Sequence, residues 1–165
     1  MTAVPGPLVG ALGDDLAMER EPEETGGAGG GRTRWLVDGM NLIGSRPDRW
    51  WNDRDGAVRR LVEELDRFAA ATGDDVTVVF DTRPPDLAAG RHGAVEVAFA
   101  SRRGRNAADD EIVAMVAGDP SPAGERVVTS DRRLAERVRD LGAAVEPSSR
   151  FRRRVDRVLL DDPYR

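Results

Sequence analysis

Four aspartates stand where a catalytic carboxylate could stand. Asp38 closes the apolar run WLV, Asp81 follows VTVVF, and Asp131 follows RVVTS. Three candidate strands therefore each deliver an acid at or just past the C-terminal end. The fourth, Asp109, lies in the first turn of NAADDEIVAMVAG, with Asp110 and Glu111 beside it. Asn41 comes three residues after Asp38, and Ser130 directly precedes Asp131. In an open α/β sheet, sites form outside the carboxyl ends of the strands. Carboxylates gathered at one such edge repel one another unless cations neutralise them. Mg²⁺ and Mn²⁺ are hard cations that take oxygen ligands. A site of that kind can activate a water and stabilise an in-line displacement at phosphorus. Taken singly, each acid has a structural reading. Asp81 can open the turn before RPP, and Ser130 or Asp131 can cap a helix. Asn106 and Asp109 have a capping-box-like spacing, and Asp38 can bind loop amides. It is the set that points to metal chemistry.

The elements that must position these residues alternate. RWLV (34–37) is a short buried-strand candidate. Residues 55–71 place Val58, Leu61, Val62, Leu65, Phe68 and Ala69 on one face of a 3.6-residue period, which predicts a helix stopped near Gly73. VTVVF (76–80) is a β-branched run suited to a central parallel strand. AVEVAF (94–99) reads as a strand, 106–118 as a helix, RVVT (126–129) as a strand, 131–142 as a helix and AAVE (143–146) as a last strand. The arginine-rich end, RFRRRVDRVLL, suits a terminal helix. This alternation predicts an α/β fold, a mostly parallel sheet with helices on both faces.

Composition narrows the chemistry. The chain of 165 residues has no cysteine and one histidine, His92. Thiol nucleophiles, disulfides and Cys-ligated zinc are excluded, and a His-rich metal site is impossible. His92 falls in a loop-like stretch and is read as a surface residue. Residues 1–31 hold six acids and one arginine, and 32–165 hold 24 of each sign. The first segment, acidic and then glycine-rich, reads as a disordered tail. The domain is expected over 32–165. No run reaches the roughly 18 apolar residues of a membrane span, and no signal peptide is read, so a cytoplasmic location is expected.

The motifs LVDGMNLIG (36–44), VVFD (78–81), VEVAF (95–99), AADDEI (107–112) and VVTSD (127–131) occur in the order found in NYN domains. The sequence resembles the YacP-like branch of that PIN-like nuclease superfamily over residues 34–155. The resemblance implies a PIN-like three-layer sandwich and metal-dependent endonucleolytic RNA cleavage, with 5′-phosphate and 3′-hydroxyl products. It implies Mg²⁺ or Mn²⁺ and no organic cofactor. Matched by motif, Asp38 is the central metal-binding aspartate and Asn41 shapes the same site. Asp81 is the acid after the second strand, and Asp131 and Ser130 are the acid and hydroxyl of TSD. Asp109 or Asp110 supplies the helix acid, with Asp109 favoured. On this reading Asp38, Asp109 and Asp131 hold metal, while Asp81 tunes the site or orients a ligating water. The partner is RNA, with messenger RNA and RNA in a ribosome complex both open.

An acidic site for a polyanion needs flanking cations. Arg102, Arg103 and Arg105 precede Asp109, and Arg132 follows Asp131. Trp50 or Trp51, after the first motif, could stack on bases, and Trp50 is included among the RNA contacts. The C-terminal arginines either join them or form a solvated helix face. Two other functions are weighed. An inactive RNA-binding adaptor of the same fold would not need all the acids. A phosphatase with a nucleophilic aspartate would place a second aspartate at position 40, which is Met40, and would use a lysine, which the chain lacks.

Overall fold

A computed structural model of the protein describes residues 31–163. The tail expected over 1–31 lies, apart from Gly31, outside the described residues. The strands are β1 (Arg34–Asp38), β2 (Asp75–Phe80), β3 (Gly90–His92), β4 (Val95–Phe99), β5 (Glu125–Val128) and β6 (Ala144–Glu146). The helices are α1 (Gly39–Gly44), α2 (Arg54–Thr72), α3 (Ala107–Gly118), α4 (Arg132–Asp140) and α5 (Ser148–Leu160). The strands form one sheet in the order β3-β4-β2-β1-β5-β6. Every pairing is parallel except β3 with β4. The expected α/β sandwich is the observed one.

Two apolar layers hold the helices to the sheet. On one face, the stripe Val58, Leu61, Val62, Leu65, Phe68 and Ala69 of α2 packs with Val37, Val78, Phe80 and Phe151. Phe151, on α5, sits 4.8 Å from the Trp35 ring and 5.4 Å from Phe68. On the other face, Ile112 and Val116 of α3 and Leu134 and Val138 of α4 pack on Leu36, Val79 and Val127. Alternate residues of β1 and β2 thus serve opposite layers, as the period of two requires. Continuous apolar runs are what a strand covered on both faces needs.

Ion pairs fix α5 to the first layer. Arg152, 7% exposed, reaches Glu64 of α2. Arg46 bridges Glu64 and Asp156. Arg154 and Arg126 flank Trp35 and pair with the buried Glu146. Arg152 and Arg154 of the C-terminal run therefore hold structure together.

The helix that leads from β1 to β2 and the helix after β5 pack in opposite layers, so the order in which strands are added reverses between β1 and β5. That is the switch point at which open α/β sheets leave a crevice.

Two elements escaped the sequence reading. α1 begins directly after Asp38, so Asn41 stands in a short helix. β3 is a three-residue antiparallel edge strand, and it places His92 in the sheet, with its ring 2.6 Å from the Ala88 carbonyl.

Gly39 makes the tight exit from β1 possible. A Cβ there would stand 2.4 Å from the Phe80 ring and 3.0 Å from the Val79 carbonyl. Phe80 is fully buried and has little room to retreat. Gly39→Ala should lower stability in urea unfolding by about 1–3 kcal/mol. Gly44→Ala, whose Cβ would meet nothing within 4 Å, should be neutral or slightly stabilising. Equal effects of the two would refute the close-approach argument.

Candidate active site

The register puts the site residues level with one another. Asp38 pairs with Val79, and Val37 with Val128, so Thr129 comes abreast of Asp38. The Thr129 hydroxyl donates to Asp38 Oδ2 at 3.2 Å and accepts from the Asp131 backbone N–H at 3.1 Å. One buried hydroxyl therefore joins the loop ends of β1 and β5. Asp131 caps α4, its Oδ1 accepting from the Leu134 N–H at 3.0 Å. The capping reading of Asp131 holds for one oxygen, and Oδ2 is not used by the cap.

Asn41 holds a second junction. Its side-chain carbonyl accepts from the Ser130 backbone N–H at 2.8 Å and from the Ser148 hydroxyl at 2.5 Å. The Ser148 backbone N–H donates in turn to the Ser130 hydroxyl at 3.0 Å. Three chain segments, at the starts of α1, α4 and α5, are tied by two short side chains and an amide. Asn41 and Ser130 thus set loop positions beside the carboxylates. Thr129 and Ser148 were not singled out from the sequence. Thr129 could have been suspected from its place between a strand and Asp131. Ser148 lies 107 residues from its partner and leaves no local signal.

The electrostatics are those of crowded acids. Asp38 is 6% exposed. Burial, then the charge of Asp109 and more weakly that of Asp131, push its pKa up to about 7, against the pull of the Thr129 hydroxyl and the Asn41 backbone N–H. Asp109 is also raised, first by burial and then by Asp131, with Arg137 opposing. Asp110 points away, exposed and bound by Arg137 at 3.0 Å. The helix acid that feels Asp38, Asp131 and Asp81 is therefore Asp109. Asp81 sits past β2, its Oδ1 buried without a hydrogen bond and the Arg54 guanidinium 3.9 Å away. A buried acceptor left without a donor is uncommon and suits a ligand or an ordered water.

The donors are all carboxylate and hydroxyl oxygens, which fits a hard divalent cation. Among the described residues, no three His, Cys, Asp or Glu side chains form a ready-made metal cage.

The expected RNA contacts separate. Arg102, Arg103 and Arg105 line a groove beside Asp81. Arg132 lines another recess, with Asp131, Glu136 and Arg139. Trp50 is half-buried against the core, with the Arg54 guanidinium 5.8 Å over its ring. Trp51, 59% exposed, is the indole open to solvent. No described helix is long and apolar enough to cross a membrane.

Residues 35–160 match the YacP-like NYN domain. The chain belongs to the YacP-like NYN domain family. Two crystal structures of Rae1 (YacP) from Bacillus subtilis are similar to it. A mutant form is 27% identical, with a TM-score of 0.61 and 76% of each chain covered. A second structure is 24% identical at a TM-score of 0.61, covering 77% of this chain and 75% of that one, and supports the fold. A comparison with curated proteins finds no match. The chain thus carries a nuclease-type, RNA-related domain.

The Asp38 shift has a defined sign. Unfolded, Asp38 titrates near 3.8, and folded it keeps its proton to about 7. The folded state binds more protons across that window, so stability falls as pH rises through it. In chelator, Asp38→Asn should be more stable than the parent near pH 8, by on the order of 2–4 kcal/mol. The difference should shrink towards zero near pH 4. A gap that does not vary with pH in thermal melts would contradict the buried-charge account.

Proposed function

We propose that the protein is a metal-dependent endoribonuclease that hydrolyses RNA phosphodiester bonds at the Asp38 site. The observation that supports this most is the buried Asp38, its pKa raised to about 7 beside Asp109 and Asp131. A fold that holds acids together against their repulsion has a use for a cation there. Asp38, Asp109 and Asp131 would hold Mg²⁺ or Mn²⁺, directly or through water. The ion, when bound, supplies a lowered pKa for the attacking water and neutralises charge that builds on the phosphate.

The chain's own groups do the rest. The Thr129 hydroxyl fixes the Asp38 carboxylate and the approach of Asp131. Asn41, with Ser130 and Ser148, keeps the three loop ends from spreading under repulsion. Asp81, its buried oxygen without a hydrogen bond and 3.9 Å from the Arg54 guanidinium, orients a water at the edge of the site. No side chain is needed as a covalent nucleophile, and none of the usual thiol or imidazole groups is at hand. The absence of a ready-made cage among the described residues favours a second reading, an RNA-binding adaptor without catalysis.

Incubation with single-stranded and structured RNA, with Mg²⁺ or Mn²⁺ and with or without EDTA, separates the two. Cleavage should require the metal. Asp38→Asn, Asp109→Asn and Asp131→Asn should each lose about 100-fold or more in rate while retaining RNA binding. Asp110→Asn should lose little. Binding by the parent without cleavage would establish the adaptor, and cleavage by Asp38→Asn at the parental rate would remove Asp38 from the site. Thermal melts give a second readout, since added Mn²⁺ should raise the Tm of the parent but not of Asp38→Asn.

A further inference from the structure

The carboxylates are flanked unequally. On the β5 side, a recess of about 480 Å³ mixes Arg132 and Arg139 with Asp131 and Glu136, so its charge is balanced. On the other side, the ends of β2 and β4 form a groove of about 760 Å³. Arg54, Arg83, Arg102, Arg103 and Arg105 line it, with Asp81 as the one acid. A polyanion reaching Asp38 is therefore attracted along one flank.

The groove also carries a surface for a base. Phe80 and Phe99 are paired in register at the ends of β2 and β4. Their ring centroids are 6.1 Å apart. Phe99 is half-buried, and the Arg83 guanidinium lies 5.5 Å from its ring centroid. Arg83 Nε donates to the Leu87 carbonyl at 3.1 Å, which holds the guanidinium in place. Guanidinium planes and aromatic rings are the groups on which unstacked bases lie. A duplex keeps its bases stacked internally and cannot offer one to such a surface.

We propose that this groove seats a single-stranded RNA segment on one side of the bond to be cut, with one base on the Arg83–Phe99 pair. The phosphates of the segment lie against Arg54, Arg102, Arg103 and Arg105. Asp81 marks the point where the groove opens onto the acidic site. The assignment rests on the nuclease reading for its direction towards Asp38, but not for its binding chemistry.

The test is fluorescence anisotropy of the full chain in EDTA, with a short labelled single-stranded RNA and a duplex of the same sequence. Arg83→Gln and Phe99→Leu, checked for fold by circular dichroism, should each weaken single-strand binding by about tenfold. Duplex binding should not change. The triple variant Arg102→Gln, Arg103→Gln, Arg105→Gln should lower the slope of log affinity against log salt by about two. Arg139→Gln, on the balanced flank, should bind as the parent does. Parental affinity in Arg83→Gln, an equal loss for duplex, or an equal loss in Arg139→Gln would overturn the proposal. Cleavage by the parent in Mg²⁺ or Mn²⁺ is read separately. A parent that binds through the groove without cutting keeps this proposal and removes the nuclease reading. A parent that cuts while the groove variants bind normally does the reverse.

Discussion

A carboxylate that is 6% exposed at the end of a central strand sets the terms for everything around it. Burying a charge without a partner is costly, and a carboxyl in such a place keeps its proton instead. Asp38 does so up to about 7, in part because Asp109 and Asp131 are close. The arrangement is one the chain would abandon if its segments were free to part. They are not free. β1 and β5 are hydrogen-bonded neighbours, Thr129 joins their ends, and the Asn41–Ser130–Ser148 contacts join three helix starts. The scaffold therefore supplies, by ordinary pairing and packing, the force that opposes the repulsion.

The same constraint explains why so much of the molecule is devoted to holding α5. Ser148 can reach Asn41 only if α5 begins close to the switch point. Its seat is made by Phe151 among Trp35 and Phe68, and by Arg152 against Glu64. A buried ion pair adds little net stability over apolar packing, but it is severe on alternatives that leave one partner alone. Here it specifies how α5 lies on α2.

Every strong base in the chain is arginine, so side-chain type does not separate the structural from the functional ones. Position does. Arg34, Arg46 and Arg152 meet carboxylates of distant segments, and Arg154 meets Glu146 of the strand before its helix. Arg83, Arg102, Arg103 and Arg105 stand in loops past β2 and β4, around a groove that has one acid. Guanidinium groups suit both uses, since the planar fork binds carboxylate and phosphate alike.

The amphipathic stripe of α2, the β-branched β2 and the helical acids of α3 were legible because each is a local pattern repeated along its own segment. The alternation of those patterns was enough for a parallel α/β sheet, and the placement of Asp38, Asp81 and Asp131 after strands was enough to suspect one edge. β3 was not legible, because three residues on an edge strand need only backbone bonds. α1 was hidden by the close approach at Gly39, which depends on Phe80 from another strand. The motif favours Asp109 over Asp110, but the Arg137 contact that engages Asp110 could not be read from the sequence. Thr129, Ser148 and the Arg83–Phe99 pair have partners remote in sequence or in neighbouring loops. Periodicity and residue type thus determined the elements and the acids they carry. Only tertiary structure decided which acids come together around the buried Asp38, which hydroxyls hold them and which arginines face the open groove, because those depend on contacts between segments and not on order within one.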